Sequence, residues 1–182
     1  EQYIERAEIL RQKGTNRGQF LRGQVDKYTW VDLGSSYLPS DILAAYLYAQ
    51  LEARDQVLTQ RKRVFEYYAE HLRSWAQKVN VRLPIVPSCC EQAYHMFYVL
   101  LPTLEKRQQL IEILRSKGIL SVFHYVPLHL SPMGRRWGYQ KGDLPVTEDV
   151  SYRLLRLPFY NDLLPEQQAE VCAAIREATQ SW

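Results

Sequence analysis

The sequence predicts an α+β protein in which helices cover a small sheet. Two runs rich in β-branched and aromatic residues, Tyr94–Leu101 and Ile119–Val126, predict strands. Between them lies a segment with apolar residues at helical spacing, which Thr103 can cap and Gly118 can end. Residues 41–79 contain neither proline nor glycine and predict a long helical stretch.

The composition indicates a folded protein whose mild positive charge suits an anionic small substrate as well as nucleic acid. The chain has 182 residues, of which 46% are apolar and 24% charged, so it can bury a core. Its net charge of +3 is mildly basic and does not demand nucleic acid. No apolar run approaches the roughly 18 residues that a membrane helix needs, so we expect no membrane partner.

The three cysteines, Cys89, Cys90 and Cys172, do not predict a disulfide framework. Their number is odd and two of them are adjacent. With no signal peptide in the sequence, a reducing cytoplasm is the expected location. Position 1 is not methionine, and the first residues already follow helical spacing without a cap. We therefore expect the chain to be a piece of a larger protein.

The chain is organised around an extended run, a small-residue turn and a helix start. Residues 2–12 predict a helix ending at Gly14, and residues 15–27 a polar, basic loop. Residues 28–33 favour an extended conformation and lead through Gly34-Ser35-Ser36 to a helix beginning near Ser40. The free N–H groups at such a helix start can bind an anion. The same residue pattern also occurs at an ordinary N-cap that binds no ligand. Likewise, the cations in the loop at 15–27 are compatible either with binding phosphate groups or with simple exposure to solvent.

The segment 41–79 is too long for one straight helix in a compact chain. At 1.5 Å per residue it would span about 60 Å. Its apolar face also changes along the segment, so we expect a break between about Arg54 and Arg61. Further on, we predict a short strand at 81–84, a loop at 134–145, a helix at 147–156, an extended segment at 157–160 and a last helix from Pro165.

Two histidines, His124 and His129, follow a predicted strand and raise the question of a metal site. No carboxylate or cysteine lies at a useful spacing, and Pro127 prevents the two rings from sharing a helical face, so we predict no metal. A hydrogen-bonded, polar strand end remains the alternative. The basic runs at 61–63 and 134–137 are typical of solvated surfaces and predict no nucleic-acid partner.

Several motifs occur in the order found in one enzyme family. These are Gly34-Ser35-Ser36-Tyr37-Leu38, Ala44-Ala45 and Gln50-Leu51-Glu52. From Glu1 to about Pro165 the chain resembles the DegT/DnrJ/EryC1/StrS sugar-nucleotide aminotransferases, which are fold-type I enzymes dependent on pyridoxal phosphate. Ser36 stands where the family has asparagine, and Leu38 where arginine is common.

The resemblance implies the C-terminal part of such an enzyme. Residues 1–55 would be a remnant of the large, cofactor-binding domain. Residues 56–182 would form a long helix and a small domain with a short, mainly antiparallel sheet. The lysine that binds pyridoxal phosphate covalently lies upstream in the family. No catalytic residue is therefore expected in this chain, which should be inactive alone.

The resemblance also implies site residues and a reaction. Gly34, Ser35 and Ser36 would face the cofactor phosphate across a homodimer interface. The implied substrate-binding residues are Arg17, Lys27, Tyr28, His124, Tyr125 and His129. The complete enzyme would move an amino group from L-glutamate to C4 of dTDP-4-keto-6-deoxyglucose, for surface polysaccharides such as enterobacterial common antigen. A non-enzymatic α+β module that binds a nucleotide or a protein is the alternative.

Overall fold

A computed structural model describes residues 3–180 and 182. The chain forms two compact units, which meet in sequence between Ala53 and Arg54. Each unit is described by itself. Among the described residues, no helix is long and apolar enough to cross a membrane.

The first unit contains three helices joined by irregular segments. They are α1 (Ile4–Arg11), α2 (Arg17–Leu21) and α3 (Asp41–Glu52). The polar loop predicted at 15–27 therefore includes a helix, whose Phe20 ring lies 5.6 Å from the Tyr28 ring. The run at 28–33, which favours an extended conformation, forms one isolated bridge, between Thr15 and Trp30.

The second unit begins with a helical stretch that is interrupted once. Helix α4 spans Arg54–His71 and α5 spans Arg73–Lys78, and the interruption at Leu72 is not predicted by the sequence. The break predicted between about Arg54 and Arg61 lies slightly earlier, at Ala53, where α3 ends. The remaining helices are α6 (Leu104–Ser116), a 3-10 turn (Leu128–Leu130), α7 (Pro132–Arg136), α8 (Pro145–Arg153) and α9 (Pro165–Ala178). The loop predicted at 134–145 thus begins inside α7, which Ser131 caps.

The sheet of this unit has three short antiparallel strands. They are β1 (Tyr98–Leu100), β2 (Val122–Phe123) and β3 (Leu154–Arg156), in the spatial order β1-β3-β2. The α+β class is confirmed, and both predicted strands are present but shorter. The helix predicted at 147–156 is wrong at its end, because Leu154–Arg156 form the central strand. Pro158 favours an extended residue before it, so the chain leaves the helix before Leu157.

Helices α4, α6 and α9 pack together, and α6 lies against β3. Their fully buried side chains include Tyr68, Leu110, Leu155 and Ile175. The Tyr68 hydroxyl donates a hydrogen bond of 3.1 Å to the Pro158 carbonyl oxygen, which satisfies its buried polar end. This core fixes the position of β3 and of the residues that follow β2.

Candidate functional site

In the first unit, the backbone around Gly14 lies directly against the backbone around Gly34. A Cβ atom on Gly14 would lie 1.8 Å from the Asp32 carbonyl oxygen, and one on Gly34 would lie 2.0 Å from the Gly14 nitrogen. The N–H groups of Val31 and Asp32 both donate to the Gly14 carbonyl oxygen, at 2.8 and 3.0 Å. This close approach requires glycine at both positions.

The Gly34-Ser35-Ser36 turn, predicted to bind the cofactor phosphate, has part of its backbone already occupied. Ser35 N–H donates to the Leu10 carbonyl oxygen at 3.0 Å, and Ser35 C=O accepts from Lys13 N–H at 3.2 Å. No described residue accepts a hydrogen bond from Ser36 N–H, and Ser36 is exposed. The hydroxyl and N–H of Ser36 are thus among the donors that this turn offers to a ligand.

Ser36 opens onto a cleft of about 430 Å³, which we call the basic cleft. Three of its lining residues are cations and none is acidic. The lining consists of Arg11, Gln12, Lys13, Thr15, Arg17, Tyr28, Ser36, Leu38, Pro39 and Ser40. Ser40 caps α3 by accepting from Leu43 N–H at 3.3 Å, so the positive end of that helix also borders the cleft. The arrangement favours an anionic ligand.

Of the six site residues predicted in this unit, three line the cleft and three, Gly34, Ser35 and Lys27, do not. Those that line it are Arg17, Tyr28 and Ser36. Sequence reasoning missed Arg11 and Lys13. Arg11 is the last residue of the first helix and Lys13 follows just after it, a place where cations are common because they complement the helix dipole.

A larger depression of about 970 Å³ lies beside α1 and is a weaker candidate. Two of its charged groups, Arg22 and Glu8, already form an ion pair. Arg22 donates from both terminal nitrogens to the two Glu8 carboxylate oxygens, each at 2.7 Å. The hydrogen bond from Arg22 lowers the pKa of Glu8. A ligand would have to displace this pair, so the basic cleft is the better binding site.

In the second unit, His124 and Tyr125 directly follow strand β2. The Nδ1 atom of His124 is buried and has no hydrogen-bond partner among the described residues. Burial, followed by the charges of Arg156 and His95, lowers the pKa of His124. Its ring centroid lies 4.8 Å from that of Tyr125, which is 65% exposed. The structure therefore places a neutral imidazole beside an accessible phenol.

His129, also predicted to bind substrate, is only 6% exposed and lies beside Glu148. Its Nε2 atom is 3.0 Å from Glu148 Oε1, which also accepts a 2.7 Å hydrogen bond from Gly142 N–H. The hydrogen bond with His129, followed by that from Gly142, lowers the pKa of Glu148. We call these three residues the loop clasp, because they fix the segment before α8 to the 3-10 turn. Substrate binding by His129 stays a prediction.

Across residues 3–180 and 182, no three His, Cys, Asp or Glu side chains converge in a way that could hold a metal ion.

Comparison with known proteins shows which family this chain matches. The model of the DegT/DnrJ/EryC1/StrS aminotransferase family matches residues 1–176. The chain belongs to this family. The family resemblance seen in the sequence is therefore confirmed, and so is pyridoxal phosphate as the cofactor of the family.

Individual relatives agree with this assignment. The chain is 30% identical over 162 residues to GDP-perosamine synthase of Escherichia coli O157:H7, with 88% of this chain and 42% of that protein covered. It is 30% identical over 156 residues to dTDP-3-amino-3,4,6-trideoxy-alpha-D-glucose transaminase of Streptomyces venezuelae, with 85% of this chain and 40% of that protein covered. The chain thus spans less than half the length of both relatives.

Solved structures show the same fold. The S. venezuelae protein DesV superposes with a TM-score of 0.82 and 27% identity, covering 98% of this chain and 44% of that one. The sugar aminotransferase Spr1654 of Streptococcus pneumoniae, solved in its PLP-form, gives a TM-score of 0.81 at 20% identity, covering 95% of this chain and 42% of that one. The α+β chain therefore has the fold of part of a sugar aminotransferase.

Proposed function

We propose that this chain is the C-terminal part of a sugar-nucleotide aminotransferase and that its basic cleft binds the cofactor phosphate. The observation that carries the proposal is the composition of the cleft. Three cations, the Ser36 donors and the start of α3 surround one space that contains no carboxylate. A phosphate satisfies this set of donors better than a neutral or cationic group does.

The residues of the cleft fit one end of pyridoxal phosphate. Ser36 would donate to a phosphate oxygen from its hydroxyl and its N–H, while Arg11 and Arg17 would balance the charge. When bound, the cofactor supplies the electron sink that amino transfer needs. The residues of this chain bind and orient its phosphate, and we assign none of its lysines to the covalent bond with the cofactor. We infer that the chain alone is inactive.

For the complete protein we propose one specific reaction. It moves the amino group of L-glutamate to C4 of dTDP-4-keto-6-deoxyglucose and gives dTDP-4-amino-4,6-dideoxygalactose. The support is the resemblance of residues 23–41 to enzymes with this substrate. The relatives whose names specify dTDP- or GDP-linked amino sugars are consistent with a nucleotide-sugar substrate. We further propose a cytoplasmic homodimer, in which the turn faces the phosphate of the partner subunit, and a role in surface polysaccharides such as enterobacterial common antigen.

The test uses the complete protein, expressed from a coding sequence extended upstream of Glu1. We expect conversion of dTDP-4-keto-6-deoxyglucose with L-glutamate and little conversion of a GDP-linked keto-sugar. No amino sugar from either substrate would contradict the proposal and favour a binding module. Preference for the GDP-linked sugar would retain the class and reject the dTDP substrate.

The cleft is tested separately by variants of the complete protein. Ser36→Ala and Arg17→Gln should each weaken pyridoxal phosphate binding by about ten-fold, because each removes a hydrogen bond to a charged group. Arg136→Gln is the matched control, since Arg136 is an exposed cation in the other unit. Cofactor affinity that is equal in all three variants would remove the cleft from the cofactor site.

A further inference from the structure

Arg156, on the central strand β3, is a cation that forms no ion pair with any described residue. Its Nε atom is buried and donates a hydrogen bond to no described residue. A guanidinium carries five N–H donors, and burying one without an acceptor costs free energy. Strand β3 thus holds a cation that no carboxylate among the described residues neutralises.

A second unpartnered nitrogen lies close to this one. Val122 is paired with Arg156 across the sheet, and His124 follows two residues later. The Tyr125 ring is a neighbour of both groups, with its centroid 5.7 Å from Arg156 Cζ and 4.8 Å from the His124 ring. His124 Nδ1 is buried without a partner, as is Arg156 Nε. Two orphaned nitrogens therefore flank one accessible aromatic ring.

The backbone of Tyr125 is held in an unfavourable conformation. Its φ angle is +51°, in the left-handed region that aromatic residues rarely adopt. Ser151 Oγ donates a hydrogen bond of 2.6 Å to the Tyr125 carbonyl oxygen and fixes the bend. Backbone strain of this kind persists where the surroundings enforce it, and it is often found at binding sites.

The net charge of the cluster formed by Arg156, His124 and Tyr125 indicates the charge of a complementary ligand. Arg156 contributes the positive charge, and the depressed pKa of His124 leaves that ring neutral at pH 7. No aspartate or glutamate forms an ion pair with the cluster among the described residues. The complementary ligand is an oxyanion, which a guanidinium grips with two parallel hydrogen bonds.

We propose that Arg156, supported by His124 and Tyr125, binds an oxyanion of the substrate. The oxyanion is a carboxylate of the amino donor or the diphosphate of the sugar nucleotide, an identity that rests on the proposed function. Arg156 then determines specificity for an anionic substrate. It lies in a different unit from the basic cleft and was not among the residues that the sequence singled out.

The test follows the side-chain NMR signals of Arg156 and His124 in the full chain, labelled with ¹⁵N and ¹³C. The chain is titrated with glutarate, as a dicarboxylate, and with inorganic pyrophosphate. We expect saturable shifts of both side chains with one of the two anions, and that anion identifies the source. Site-resolved signals separate this binding from any binding at the basic cleft, which shifts the Ser36 amide instead. If neither anion shifts the Arg156 and His124 signals, the proposal is overturned.

Substitutions identify the residue responsible. Followed on the His124 ring, Arg156→Gln should weaken binding at least ten-fold, because it removes the charge and the fork of donors. Arg156→Lys keeps the charge without the fork and should show a smaller loss. Arg115→Gln, an exposed cation on α6, makes the same change in net charge and should alter affinity less than two-fold. Equal affinities of Arg156→Gln and Arg115→Gln would overturn the proposal. If Arg156→Gln does not fold, the affinity of Arg156→Lys is compared with that of Arg115→Gln instead. Equal affinities of these two variants would overturn the proposal.

Failure of this inference differs from failure of the proposed function. In the complete enzyme, Arg156→Gln should raise KM for L-glutamate or for the sugar nucleotide, whichever carries the bound anion. Anion binding that depends on Arg156 in a protein without aminotransferase activity would support the site and reject the function. An active enzyme whose two KM values do not change in Arg156→Gln would support the function and overturn the site.

Discussion

At the scale of the residue, the three cysteines differ in how far water reaches their sulfur atoms. Cys172 is 1% exposed, and burial raises its pKa from the ordinary 9.0 to about 11. At pH 8 this lowers its thiolate fraction about 100-fold. Cys89 and Cys90 are exposed, with their sulfur atoms 3.9 Å apart. The two classes of thiol should therefore react at very different rates.

We expect an aromatic disulfide reagent at pH 8 to titrate two thiols of the folded chain quickly and the third only after unfolding. The measurement is the absorbance of the released thiolate with time, with and without denaturant. Cys172→Ala should remove the slow equivalent and leave the fast two. Three fast equivalents in the folded chain would show that α9 does not protect Cys172.

Substitution of His124 tests whether the second unit contributes to turnover. In the complete enzyme, His124→Ala should lower kcat about ten-fold or more if the ring contacts the substrate as proposed, because its hydrogen bonds would then be lost. Pyridoxal phosphate should still bind, since the basic cleft contains no second-unit residue. The absorbance of the bound cofactor and steady-state kinetics measure the two effects.

A matched control is His71→Ala, which removes an exposed imidazole from α4. Unchanged turnover in His124→Ala, with the control also unchanged, would remove His124 from the site.

Single residues also show what the sequence could and could not predict. Arg17, Tyr28 and Ser36 are predicted as site residues by the family resemblance, whereas their local chemistry alone leaves a solvated surface equally open. Arg156 is not predicted, because an arginine between leucines in a three-residue strand has no distinguishing spacing. Its significance arises from its unpartnered nitrogen, which a sequence does not reveal.

At the scale of the element, the loop clasp connects the segment before α8 to the 3-10 turn. Glu148 accepts hydrogen bonds only in the folded chain, so its folded pKa lies below its ordinary value of 4.5. A depressed carboxyl pKa contributes stability that is complete above the unfolded value and is lost as pH falls through the folded value. The clasp should therefore hold at neutral pH and open below about pH 4.5.

Hydrogen exchange of the Gly142 amide measures this opening. We expect protection of that amide at pH 6 to 7 and a loss of protection, relative to the intrinsic rate, as the pH falls below about 4.5. Glu148→Gln keeps the oxygen that accepts from Gly142 but has no titrating carboxyl, so its protection should not change with pH. A pH profile shared by the wild type and this variant would exclude Glu148 as the cause.

The elements also differ in how well their patterns predict them. Helices α6 and α9 show apolar spacing over 13 and 14 residues, and their caps or starting prolines mark where they begin. Strand β3 has three residues and follows α8 without a loop, so local periodicity cannot separate it from the helix. Pairing on both sides, to β1 and β2, makes it a strand, and such long-range contacts are not visible in a local pattern.

At the scale of the whole molecule, helix α3 has no side chain in the core of the chain. Its six large apolar side chains are between 55% and 83% exposed: Ile42, Leu43, Tyr46, Leu47, Tyr48 and Leu51. A contiguous apolar surface of this size is normally covered by protein. The chain spans 42% and 40% of two relatives, so parts of those proteins have no counterpart here. We expect copies of the chain to associate through this helix.

Sedimentation velocity over about a hundred-fold range of concentration tests this expectation. The wild-type chain should sediment faster as its concentration rises. The double substitution Leu43→Gln with Leu47→Gln should reduce this dependence, because it makes two neighbouring exposed positions on one helix face polar. Val146→Gln changes one isolated exposed valine on α8 and should leave the association as in the wild type. A monomeric wild-type chain throughout the range, or equal association in all three proteins, would show that α3 does not mediate contact between copies.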